Sequence, residues 1–238
     1  MPVSAAPALV SLHVWGTSGR RIPGSLARVA GDRFALRGYP GLTFAKVLGT
    51  GSGQTFAPQD ADLRHWALLA CWDAPHAAAT FERSRVVRRW DAACTERVRV
   101  LMTPVSSTGR WSGREPFGSP AQRPRTETSG PVAAITRARI RWNQLPTFWR
   151  SVPDVTESLT TQPGLRWSLG IGEAPIGLQG TFSIWDDMAS MNAFAYQTAG
   201  HRRAIEQTRE TGWFSEELFA RFTVDEVEGS FDGTPLQT

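Results

Sequence analysis

Apolar positions along the chain change period in an order that occurs twice. Residues 8–15, ALVSLHVW, make a compact apolar run that predicts a strand. Over 22–37 the apolar positions Ile22, Leu26, Val29, Ala30 and Phe34 fall at helical spacing, which predicts a helix. Strands follow at 42–49 and 64–72. A helix is predicted over 74–94, opened by Pro75 in its first turn, and then a fourth strand over 97–105. The second half repeats the order. A strand at 131–142 leads to a helix at 143–159, with Leu145, Phe148, Trp149, Val152 and Leu159 on one face and Pro153 placed to kink it. LRWSLGIG and LQGTFSIW read as a hairpin. Residues 187–211 read as a helix broken near Gly200, and EELFARFTVDEV reads as the last strand.

The two halves also share residues. Trp72-Asp73 and Trp185-Asp186 each end an apolar strand, and Phe81 and Phe194 occupy matching helical positions. Gly49 and Gly51 in KVLGTGSG correspond to Gly170 and Gly172 in SLGIGEAP. Each half is therefore a β-α-β-β-α-β unit, and the fold class is α+β with tandem ferredoxin-like repeats. The repeats span 1–107 and 131–238. The Gly, Pro and Ser-rich segment 108–130 connects them, although its GRWSGREPF portion is too aromatic and too basic for an idle linker and is expected to pack on the repeats. One face of a ferredoxin-like sheet is covered by its helices and the other is bare. Two such sheets can bury their bare faces together as a barrel, leaving room for an apolar ligand between the sheets or between sheet and helix.

Hydrophobic content of 41% and charged content of 20% support an ordinary core. No apolar run is long enough to span a bilayer, and the first residues lack the pattern of a secretory signal, so a cytoplasmic protein is expected. Lys46 is the only lysine; every other basic side chain is arginine. These arginines are scattered, which argues against nucleic-acid binding and allows at most peripheral contact with anionic lipid. The two cysteines, Cys71 and Cys94, read as inert thiols, and no cysteine–histidine cluster has zinc spacing.

Motifs for nucleotide, phosphate, metalloprotease or serine-hydrolase chemistry are missing, and GTGSG at 49–53 reads as a turn. His13, His65 and His76 read as structural or exposed. His201 continues the helical stripe Met191, Phe194, Thr198, with Ile205 one turn later. Spacing leaves it open between a packed core histidine and a ligand. If it binds a metal, haem suits one imidazole better than zinc, because the porphyrin supplies four ligands itself. Asp73 and Asp186 read as helix N-caps. Glu173 sits in a hairpin without an evident partner. Arg137, Arg139 and Arg141 fall on one strand face, where they cannot all be buried unpaired; one could meet an anionic ligand group.

GRWSGREPF, PVAAITRARI, FWRSVPDV, GIGEAP, TFSIWDDMASMNAFAY and HRRAIEQTRETGWFSEELFARF together resemble the spheroidene monooxygenase family, from about Leu9 to Val224. The resemblance implies a haem enzyme of the dimeric α/β-barrel type, oxidising an apolar, carotenoid-like substrate. It implies His201 as the iron ligand of a haem b, O2 as co-substrate and an external reductant, such as a ferredoxin. Arg137 lies in a matching string and is carried as a catalytic and haem-pocket candidate. Arg139 departs from the small residue expected there. Trp167, Ser168 and Leu169 are atypical and put the substrate in question. A haem-dependent dehydratase, a nitrogen-oxidising enzyme on the same fold, or a non-catalytic haem or apolar-ligand carrier are the alternatives. A homo-oligomer is compatible with all of them.

Overall fold

The computed structural model describes residues 6–52, 60–118, 130–141, 162–173, 178–197 and 214–237. The predicted helix at 143–159, connector residues 119–129 and His201 lie outside these residues. The first repeat comprises β1 (Leu9–Gly16), α1 (Ile22–Ala35), β2 (Leu42–Gly51), β3 (Ala61–Trp72), α2 (Pro75–Phe81), α3 (Arg85–Asp91) and β4 (Glu96–Gly109). The second comprises β5 (Val132–Ile140), β6 (Leu165–Gly172), β7 (Leu178–Trp185), α4 (Met188–Gln197) and β8 (Phe214–Phe231), followed by the short β9 (Thr234–Pro235).

Strand order is β4-β1-β3-β2-β6-β7-β5-β8, with β8 returning to β4, so eight antiparallel strands close into a barrel and β9 folds back on β8. Each repeat supplies half of the wall in the ferredoxin-like order, and the bare faces become one interior. The two seams differ. β4 and β8 pair from Val98↔Gly229 to Gly109↔Leu218. β2 and β6 meet at only Gly49↔Gly172, Thr50↔Ile171 and Gly51↔Gly170. The glycine pairs shared by the two halves thus face each other across the short seam.

Inward positions follow the two-residue period of each strand. Val10, Leu12 and Val14 of β1 meet Leu169 and Ile171 of β6, Phe182 and Ile184 of β7, and Leu218, Ala220 and Phe222 of β8 in a continuous buried core. Among the described residues the interior is thus lined by packed apolar side chains. The outer side of the wall faces the helices. On the first repeat that side carries Trp15, Trp66, Leu68 and Trp72, packed under α2 and α3 with Phe81, Val87 and Trp90.

Several local expectations change. The helix predicted over 74–94 is two helices, because Ser84 accepts a hydrogen bond from the Val87 N–H and starts a new one. Asp73 does not cap α2, whose N-cap is Ala74. Asp186 pairs with Arg166 at 2.6 Å, and its neighbour Asp187 caps α4 through the Ser190 N–H. The stripe of α1 is split: Val29 packs on the first repeat's core and Ile22 is half-buried, while Leu26 and Phe34 are exposed and the fully buried residues of the helix are Ser25 and Asp32. Asp32 pairs with Arg89 and accepts a 2.6 Å hydrogen bond from Trp90 Nε1, which fixes the polar face inward.

Candidate functional site

Two polar clusters close the barrel, each made where an inward stripe runs out of apolar residues. At one end, Lys46 lies between Phe44 and Leu48 in the inward register of β2, Arg137 continues Ala133 and Ile135 of β5, Glu173 follows Leu169 and Ile171, and Glu216 precedes Leu218. The Arg137 guanidinium, 2% exposed, bonds Glu216 at 2.5 Å and Glu173 at 2.9 Å and lies 5.4 Å from the Trp111 ring centroid. Glu173 also accepts from Lys46 Nζ at 2.5 Å and from Trp111 Nε1 at 2.6 Å. Lys46 reaches Ser112 Oγ as well, and the Ser112 and Gly113 N–H groups donate to Glu216. Two cations and two carboxylates therefore balance. Burial pushes both carboxyls up, but the Lys46, Trp111 and Arg137 bonds to Glu173 outweigh it. The Gly113 and Ser112 amides and Arg137 do the same for Glu216, and both pKa values end below the ordinary range.

The aromatic segment GRWSGREPF packs as the sequence indicated. Trp111 and Phe117 are buried in the barrel core, and a bridge joins Trp111 to Arg114. Of Arg137 and Arg139 on β5 and Arg141 just beyond it, only Arg137 enters the interior. The register shifts at Arg139–Ile140; Ile140 is buried, and Arg139 and Arg141 are exposed. The anionic groups that meet Arg137 are thus the protein's own carboxylates. Glu173, which had no visible partner in the sequence, is the hub; its partners lie on strands remote in the chain.

At the other end the sequence offered no warning. His65 of β3 is buried, with Nδ1 2.5 Å from Asp62 and Nε2 2.8 Å from Glu96 of β4. Asp232, in the β8–β9 turn, completes a group of three ligand-type side chains with His65 and Glu96. Both ring nitrogens are already taken by carboxylates, so the arrangement reads as a charged clamp. Phe231 lies 4.5 Å from the ring, and the Gly233 N–H donates to Glu96. Gly16 is required beside it, since a Cβ there would come within 2.7 Å of both His65 Nε2 and Glu96 Cγ. Burial lowers the His65 pKa, but the bonds to Asp62 and Glu96 prevail and raise it above 6.5.

His13 is buried against Trp15 and Phe81 with Arg97 at its Nδ1, and burial reinforced by Arg97 and Arg99 keeps it neutral. His76 is exposed. Cys71 and Cys94 are free, and burial pushes the Cys71 thiol far up.

The outer face of the second repeat differs from that of the first. Val132, Trp185 and Met191 form a small core where α4 packs, with Trp185 stacked on Phe194. Beyond it the face is floored by small side chains: Ala134, Thr136 and Ala138 of β5, Ser168 of β6, and Thr181 and Ser183 of β7. Of the three atypical residues, Ser168 lies on this floor, while Trp167 and Leu169 point into the barrel. His201 follows the last described residue of α4, Gln197, on the same chain segment.

No family model matches the chain. The spheroidene monooxygenase of Rhodobacter capsulatus is 38% identical over 219 residues, covering 92% of this chain and 89% of that one. That of Rubrivivax gelatinosus is 39% identical over 206 residues, covering 86% and 77%. Among solved structures, an aldoxime dehydratase superposes with a TM-score of 0.58 at 11% identity, over 91% of this chain and 80% of that one, which shows a shared fold. With more than a third of its residues shared over nearly its whole length, the chain belongs to the spheroidene monooxygenase family.

Proposed function

We propose that this protein is a haem-dependent monooxygenase that oxidises an activated C–H bond of an apolar, carotenoid-like substrate to an alcohol or ketone. The observation that carries the reading is the small-residue floor on the outer face of β5, β6 and β7, beside α4 and ahead of His201. A flat macrocycle needs a wall without bulky or charged side chains, and Ala134, Thr136, Ala138, Ser168, Thr181 and Ser183 are all small and uncharged. The corresponding face of the first repeat is filled by tryptophans. The described interior is lined by packed apolar side chains, which favours the outer face of the second repeat for the group. His201 would hold the iron through its imidazole, and haem b would there supply O2 activation, fed with electrons by an external reductant such as a ferredoxin.

The chain's own part is to bind, orient and keep dry. Trp185, Met191 and Phe194 wall one side of the floor with apolar surface. Arg137, beneath the floor, holds β5 to β8 and to the end of β6 through Glu216 and Glu173, so its role is to position those strands. Each hydroxylation consumes one O2, two electrons and two protons and releases one water; a second round on the same carbon gives a hydrate that collapses to the ketone. The dehydratase alternative shares the fold, and fold alone does not favour it.

Haem titration of the purified protein tests the reading. A Soret band saturating at one haem per chain, lost in His201→Ala with the far-ultraviolet circular dichroism unchanged, is expected. An unchanged spectrum in the variant would remove His201 as ligand. O2 consumption with an acyclic carotenoid, absent with aldoximes, separates oxygenation from dehydration.

A further inference from the structure

We infer that the outward face of α1 is a docking surface for an anionic lipid bilayer, on which the protein rests peripherally. The helix is built in reverse for a soluble protein. Its buried side chains are the polar Ser25 and Asp32, and its solvent side carries Pro23, Leu26, Ala27, Ala30 and Phe34 in one stripe. Leu26 is 49% exposed and Phe34 67% exposed. A surface helix ordinarily turns such a stripe to the core. Here Ser25, bonded to Thr17, and Asp32, held by Arg89 and Trp90, leave that stripe no route inward.

Charge selects the occupant. Arg20, Arg21, Arg33 and Arg37 are exposed around the stripe, and Arg37 lies over the Phe34 ring at 4.9 Å. Between Gly16 and Pro40 the only acidic residue is Asp32, which is buried and paired. An apolar strip rimmed by arginine, on a segment with no exposed carboxylate of its own, fits the headgroup boundary of an anionic membrane, with Leu26 and Phe34 entering the acyl region and the guanidiniums meeting phosphate. With 14 residues α1 is about 21 Å long, and no described helix is long and apolar enough to cross a membrane, so the helix would lie in the interface plane. The inference goes beyond the oxygenase reading and does not depend on haem; a lipid-dissolved substrate is what would make such contact useful.

Vesicle co-sedimentation of the full chain tests it without any activity. Mixed phosphatidylcholine–phosphatidylglycerol vesicles are expected to pellet the protein, pure phosphatidylcholine much less, and added salt should release it. The double substitution Leu26→Ser, Phe34→Ser should weaken binding about tenfold or more. Arg33→Glu, Arg37→Glu should do the same by charge alone, at about fivefold per arginine removed. Circular dichroism and thermal midpoints should stay at wild-type values, because all four side chains are exposed. The proposal is overturned if wild type stays in the supernatant, if either double variant binds as wild type does, or if light scattering shows a dimer that Leu26→Ser, Phe34→Ser splits, since a second copy would then be the occupant.

Discussion

At one end of the barrel Arg137 and Lys46 meet Glu173 and Glu216 under Trp111; at the other, His65 stands between Asp62 and Glu96 beside Phe231. Both ends solve the same problem. Inward stripes of β-strands must stop somewhere, and the last inward positions can be polar only if they satisfy each other. The solutions differ in what pH can do to them. A guanidinium keeps its charge in proteins, and the carboxylates of the Arg137 end, Glu173 and Glu216, both have lowered pKa values. An imidazolium clamp depends on a proton, and here Asp62 and Glu96 move its loss above the ordinary 6.5.

The largest effect should come from breaking the permanent end. Arg137→Met leaves two buried carboxylates without their shared cation and is expected to cost about 3–5 kcal/mol in urea unfolding, with an unchanged m-value. A double-mutant cycle with Glu216→Gln should recover part of that loss; strict additivity would mean the pair is not coupled. Next in size is His65→Gln, which removes charge-assisted bonds and should cost about 1.5–3 kcal/mol at pH 6.

That variant also sharpens the contrast through pH. The raised pKa of His65 means its contribution is complete below 6.5 and is lost as pH rises through the folded value. The depressed pKa values of Asp62 and Glu96 mean theirs are present above the ordinary 3.8 and 4.5 and are lost as pH falls through the folded values. The stability gap between wild type and His65→Gln should therefore shrink from pH 6 to pH 9. The gap for Arg137→Met should stay level there and shrink only in acid, where Glu173 and Glu216 take up protons. Parallel curves for the two variants would erase the distinction.

Gly109, beside the Arg137 end, has φ +88°, and a Cβ would fall 2.1 Å from the Glu217 carbonyl oxygen. Gly109→Ala should cost about 1–3 kcal/mol by moving β4 from β8, read as a lowered thermal midpoint. The smallest change is expected from Lys46→Met. Lys46 is 19% exposed and Glu173 keeps Arg137 and Trp111, so about 1 kcal/mol should be lost.

Much of the architecture could be read from the chain. Two-residue and helical periods located nearly every described element, and the shared tryptophan-aspartate and glycine strings exposed the repeat. GRWSGREPF announced its own burial, and the string ending in LFARF carried the family. The clusters were harder. Glu173 looked solitary because Lys46, Trp111 and Arg137 reach it from β2, the connector and β5. His65 looked structural because Glu96 lies on β4 and its approach needs Gly16 between them. Arg139 lies exposed although the alternation placed it with Arg137, and Leu26 and Phe34 of α1 face solvent while Arg89 and Trp90 of α3 hold Asp32. His201 and the helix at 143–159 fall outside the described residues.

Local chemistry settled the periods, the turns and the doubling of the four-strand order, since backbone hydrogen bonding and side-chain spacing act over a few residues. Closure settled everything that depends on distance: which charges share an end, which side of α1 meets solvent, and that the barrel is a core while the second repeat's outer face is floored by small side chains. Such pairings arise only when β4 finds β8 and β2 finds β6, and no short window of sequence contains both partners.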